Sequence, residues 1–191
     1  MQSRDGGRIW IDRVEQGPYD THTLSTHQKA PKRLYSSAGD GYFESFDYGE
    51  SWKRHTTGLK HHYLAGLAVD PAEPNTILVS ASQSALQAHS IEHANSLVYR
   101  RSVEDECGEW KAIFNGLPES GGTIITILAA NPKNKGEFYA INMVQRISFT
   151  TSLRTSNSRT GLVVPYSALI NKKKKFVIRH LWRYACSRST H

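Results

Sequence analysis

The sequence predicts an all-β fold assembled from repeated units of four short strands. Three observations lead there. An eight-residue pattern occurs twice, 42 residues apart. Short runs of apolar and β-branched residues follow each occurrence. Turn dipeptides separate those runs. The chain has 191 residues, of which 38% are hydrophobic and 10% aromatic, enough for the core of one domain with a tail.

The repeated pattern is S-x-D-x-G-x-x-W. It is carried first by Ser3, Asp5, Gly7 and Trp10, then by Ser45, Asp47, Gly49 and Trp52. Its chemistry is that of a tight hairpin turn. The Asp carboxylate accepts backbone N–H bonds one or two residues on, and the Ser hydroxyl bonds locally in the same way. Glycine supplies a positive φ that other residues reach at a cost. Tryptophan opens the return strand and is expected to bury its ring between neighbouring sheets. A third, degenerate copy runs from Ser102 through Asp105 and Gly108 to Trp110.

Around the second copy the four strands are expected at 21–25, 33–37, 42–46 and 51–56, with Gly39-Asp40-Gly41 as the turn between the middle two. Trp52 is followed by Gly58-Leu59, and Trp110 by Gly116-Leu117 at the same distance. Apolar strands come next at 64–69 and 123–128. Each ends in a turn signal, Asp70-Pro71 or Asn131-Pro132, and resumes at 76–80 or 137–141. Trp110 lies 58 residues after Trp52, 16 more than the basic interval. The excess falls around 83–95 and predicts an insertion projecting from one face of its unit, a common place for binding function.

Four strands in about 40–50 residues is the blade of a β-propeller. The turn motif and its spacing resemble the BNR/Asp-box repeat family of sialidase-like and YVTN/BNR-like propellers, over residues 1–142. The resemblance implies a partial propeller of about three four-stranded antiparallel blades. Sialidases, xyloglucan-cleaving glycosidases, sortilin-type receptor domains and photosystem assembly factors all belong to this family. Its shared motif is structural and names no activity.

The remaining residues, 143–191, differ in kind. They hold ten of the 24 Lys and Arg and none of the 17 Asp and Glu, a local +10, which leaves 1–142 at −3. No further turn motif follows, and 148–160 is mostly Ser, Thr, Arg and Asn. The reading is an irregular basic tail on a propeller fragment that starts inside a turn motif. The expectation is that beyond codon 142 its natural continuation is replaced, as a frameshift would do. The 172–184 stretch mixes lysines with Phe176, Trp182 and Tyr184, so nucleic acid or an anionic membrane is a partner only through this tail.

Chemical motifs are few. His89-Ser90-Ile91-Glu92-His93 matches H-x-x-E-H, which on a helix presents two histidines to zinc. Here the surroundings are strand repeats, so His89, Glu92 and His93 read as a polar insertion and only weak metal candidates. His61-His62 reads as a solvated loop pair, and His22 and His27 bracket one strand. Asp12, Asp20, Asp40 and Glu44 are expected at the surface or in turns. The Arg-Ile-Pro string of sialidases is missing, Arg8-Ile9-Trp10 and Arg146-Ile147-Ser148 being the nearest. No catalytic residue and no cofactor is assigned. Cys107 and Cys186 make no disulfide framework. No secretory or membrane-spanning apolar run is present, with the cytoplasm as the default expectation.

The expected function is therefore a non-catalytic propeller scaffold or interaction module whose partner is a protein or a carbohydrate. The alternative is a glycoside hydrolase of sialidase or xyloglucanase type, or an inactive fragment of one. Open sheet edges add self-association as a further expectation.

Overall fold

The structure is a computed structural model that describes residues 1–102, 108–143 and 173–179, the last seven and 142–143 by their backbone. Asp105 of the third turn, Cys107, Cys186, the 148–160 stretch, Trp182 and Tyr184 lie outside the described residues.

Two four-stranded antiparallel sheets follow one another along the chain. The first contains β1 (Thr21–His27), β2 (Ala30–Ala38), β3 (Gly41–Ser45) and β4 (Lys53–Arg54), paired in chain order. The second contains β5 (Tyr63–Val69), β6 (Ile77–Ser82), β7 (Ser96–Arg101) and β8 (Lys111–Ile113), again in chain order. A third sheet holds β9 (Ile127–Ala130), β10 (Glu137–Met143) and β11 (Lys173–Arg179). One helix, α1 (Ala85–His89), interrupts the second sheet between β6 and β7. Meandering four-stranded blades stacked side by side make this an all-β, partial β-propeller.

Two differences from the expected elements have physical reasons. The strand expected over 123–128 begins only at Ile127. The residues before it have another task, since Thr123 N–H donates to the Ser120 carbonyl at 3.1 Å and Ile125 N–H to the Ala88 carbonyl at 2.9 Å. The lysine run, expected to be irregular, supplies β11. Its backbone pairs with β10 from Met143↔Lys173 to Glu137↔Arg179.

Among the described residues there are two cores, one at each seam between blades. Tyr35, Tyr42, Leu64, Ile77, Val79 and Trp110 are among the buried residues joining the first and second blades. Leu78, Val98, Leu128, Phe138 and Ala140 join the second and third. The sheets are sandwiched, so β6 is buried at every position: Ile77, Val79 and Ala81 enter one core, Leu78 the other. Each fully buried Leu, Ile or Val contributes about 1.5–3 kcal/mol relative to exposure.

Polar bonds register the seams. Thr23 Oγ1 and Ser37 Oγ both donate to the Ala65 carbonyl at 2.7 Å, and Tyr35 Oη to that of Pro74 at 2.9 Å. His27, buried, meets the Asp70 carbonyl through Nε2 at 2.8 Å. At the next seam Ser80 Oγ donates to the Thr126 carbonyl at 2.6 Å, and Gly136 N–H to Asp70 Oδ2 at 2.5 Å.

Candidate functional site

Antiparallel order divides the blades into two ends. The turns between β3 and β4, β1 and β2, and β5 and β6 lie at one end. The turn between β2 and β3, the 83–95 insertion and the connections from β4 to β5 and from β8 to β9 lie at the other, called here the loop end.

The S-x-D-x-G-x-x-W turn of the first blade belongs to the former end. Ser45 Oγ donates to Asp47 Oδ1 at 2.7 Å and accepts from Gly49 N–H at 2.7 Å. Asp47 also accepts from Ser51 N–H at 2.9 Å and from Ser51 Oγ at 2.5 Å. These bonds, the Ser51 hydroxyl foremost, hold the Asp47 carboxyl at about 2. The 3–10 turn repeats the geometry, with Ser3 Oγ donating to Asp5 Oδ1 at 2.8 Å and Gly7 N–H to Ser3 Oγ at 2.8 Å. Asp5 is likewise lowered, chiefly by the Ile9 N–H, then by Ser3. Gly7 and Gly49 have φ of +89° and +92°. The residue before each is also left-handed, Gly6 in one turn and Tyr48, φ +62°, in the other. The turns touch through an Arg4–Glu50 ion pair and a bond from Gln2 Nε2 to the Tyr48 carbonyl. The expected burial of each tryptophan holds for Trp110. Trp52 is half-buried, and Trp10 is 59% exposed because no described sheet covers it.

Glu44, expected at the surface or in a turn, is 1% exposed. All of β3 is buried, so its solvent-facing positions do not exist. Glu44 Oε1 accepts from Arg33 Nη2 at 2.9 Å, from Tyr42 Oη at 2.6 Å and from Arg101 Nη2 of the second blade. Arg33 Nη1 also donates to Asn75 Oδ1 at 2.5 Å. Arg101 lies 5.2 Å from the Tyr42 and Trp110 ring centroids. Burial pushes the Glu44 carboxyl up, but Arg101, Arg33 and the Tyr42 hydroxyl outweigh it and leave the carboxyl below its ordinary value. This cluster was missed because its partners lie 11 and 57 residues away in sequence.

The loop end is more open. The insertion is pinned on one side by bonds from Gly122 N–H to the Ala94 carbonyl at 2.7 Å and from Ile125 N–H to Ala88. Asn95 N–H closes it on the Gln87 carbonyl at 3.0 Å. Ser84 caps α1 and Ala88 is fully buried, while Leu86 and Ile91 stay 58% and 49% exposed. α1 ends at His89, so Glu92 and His93 do not share a helix with it, and His93 Nδ1 lies instead 3.2 Å from Ser90 Oγ. His61 is buried against the Ala81 carbonyl, unlike its exposed neighbour His62, and burial lowers its pKa. On the insertion's other side Tyr63 Oη lies 3.1 Å from His89 Nε2 and 3.4 Å from His22 Nε2. His22 Nε2 is also 3.3 Å from Asp20 Oδ2. Asp40 accepts the Tyr19 N–H at 3.1 Å and the Asp20 N–H at 3.3 Å, and this holds the approach to β1.

No protein-family model matches the chain, and no curated protein is similar to it in sequence. Among solved structures, an ancestral GH74 enzyme is similar, at 15% identity and a TM-score of 0.53. The match covers 68% of this chain and 16% of that one, so the chain spans about a sixth of the enzyme's length. At that identity the likeness is one of fold: a partial β-propeller.

Proposed function

We propose that this chain is part of a BNR/Asp-box propeller that acts as a non-catalytic interaction module and binds a protein or carbohydrate through its loop end. The observation that carries the reading is the insertion. Backbone bonds to residues 122 and 125 on one side, and the Tyr63–His89 contact on the other, hold it in place, and it still presents Leu86 and Ile91 to solvent. A fixed apolar protrusion loses little conformational entropy on binding. Three of the carboxylates agree with the same reading. Asp5 and Asp47 are engaged in turns, and Glu44 is enclosed by two guanidinium groups. A glycosidase needs two carboxyl groups facing one sugar.

The alternative is a glycoside hydrolase of sialidase or xyloglucanase type, or an inactive fragment of one. The fold it shares with a GH74 enzyme favours it. Fluorogenic sialosides and xyloglucan oligosaccharides separate the two readings. The module reading expects no turnover above buffer. Turnover abolished by replacing one carboxylate would establish the hydrolase.

A further inference from the structure

We infer that Asp20, His22, Tyr63 and His89 form a binding site for a divalent transition metal, zinc by preference, that bridges the first blade to the insertion of the second. The inference stands apart from the module reading and rests on the geometry of the loop end.

Three donor-to-donor distances run through the cluster: 3.3 Å from Asp20 Oδ2 to His22 Nε2, 3.4 Å from there to Tyr63 Oη, and 3.1 Å on to His89 Nε2. Ligands held 2.0–2.1 Å from a tetrahedral zinc are about 3.3 Å from one another. Three of the six separations in such a tetrahedron therefore already have a compatible length. The donor set, two imidazoles with a carboxylate and a phenol, suits zinc, copper or nickel over magnesium or calcium.

The second observation is the far side of His22. Its Nδ1 lies 2.5 Å from the Leu64 carbonyl, which can only accept, so Nδ1 carries the proton. This contact orients the ring so that Nε2 faces Asp20 and Tyr63. A backbone carbonyl fixing the ring in this way is the usual outer support of a metal-ligating histidine.

The set is not closed as it stands. Among the described residues no three His, Cys, Asp or Glu side chains converge on one metal position. Three further edges remain, and closing the two that end on His89 requires it to turn about its side-chain bonds. It is exposed at the last residue of α1 and is able to do so. The sequence motif assigned His89 to Glu92 and His93, whereas the fold gives it partners 26 and more residues earlier.

Cobalt(II) titration of the full chain tests the site. The expected result is one equivalent bound, with the intense visible absorption of a four-coordinate ion, displaced by zinc. His89→Gln, Tyr63→Phe and His22→Gln should each weaken binding about tenfold or more, while His93→Gln leaves it unchanged. His22 also supports Leu64, so its variant counts only if its melting temperature is retained, and the other two carry the test if it is not. Binding that is weak and octahedral in spectrum, or that responds to His93→Gln and not to His89→Gln and Tyr63→Phe, would overturn the inference.

Discussion

Both ends of the seam between the first two blades carry a cluster of charged and aromatic side chains, and the two are built to opposite plans. At the turn end Glu44 is enclosed by Arg33, Arg101 and Tyr42, with every member buried. At the loop end Asp20, His22, Tyr63 and His89 meet at comparable separations, but on a surface reached by solvent. Charges removed from water need partners, and a carboxylate so enclosed has little capacity left for a ligand. The open cluster keeps its polar atoms within reach of solvent. The difference teaches that polarity at a seam marks a site only where burial is incomplete.

Four measurements sharpen or break this contrast. Glu44→Ala leaves two guanidinium groups buried without their carboxylate, and a loss of about 3–5 kcal/mol in unfolding free energy is expected; a loss below 1 kcal/mol by urea denaturation would remove the distinction between the ends. Asp47 comes next. Its carboxyl titrates near 2 in the fold against an ordinary value of 3.8. A depressed folded-state pKa means that its stabilisation is complete above about pH 4 and is lost as pH falls toward 2. Asp47→Asn should therefore flatten the acid limb of the stability curve in that window, as read by thermal melts. Tyr48→Gly removes a left-handed tyrosine, worth about 1–2 kcal/mol, and adds about 0.5–1 kcal/mol of chain entropy to the unfolded state; a modest net rise in melting temperature is expected. His89→Gln, at the open cluster, should shift unfolding free energy by no more than about 0.5 kcal/mol, the smallest change and the counterpart of the first.

What was legible in the sequence follows the range of the interactions. The turns around Asp5 and Asp47 are built from bonds spanning two to four residues, so their chemistry is visible as spacing. The strands of the first two blades show as apolar runs between turn dipeptides. Glu44 was misplaced because an acid in a strand normally faces solvent, and only the stacking of sheets on both sides buries it. The signal that bore on it was the unbroken burial-prone run Tyr42-Phe43 beside it, with arginines in the neighbouring strands. The open cluster could not be read at all. His22 and His89 are 67 residues apart in sequence, and Tyr63 joins them only because β1 lies against β5.

Several of the bonds that register the blades share nearly one sequence separation. His22 to Leu64, Thr23 to Ala65, Lys29 to Ala72 and Arg33 to Asn75 each span 42 or 43 residues, and Ser80 to Thr126 spans 46. The repeat interval is thus also the contact range. Folding rates fall as contacting residues grow more distant along the chain, and here each docking step closes a loop of one repeat. The first seam has all of its partners once the chain extends to Trp110, before the third sheet exists. During synthesis the molecule would acquire its stability in instalments, blade by blade, with the closed cluster at Glu44 latching only after Arg101 emerges.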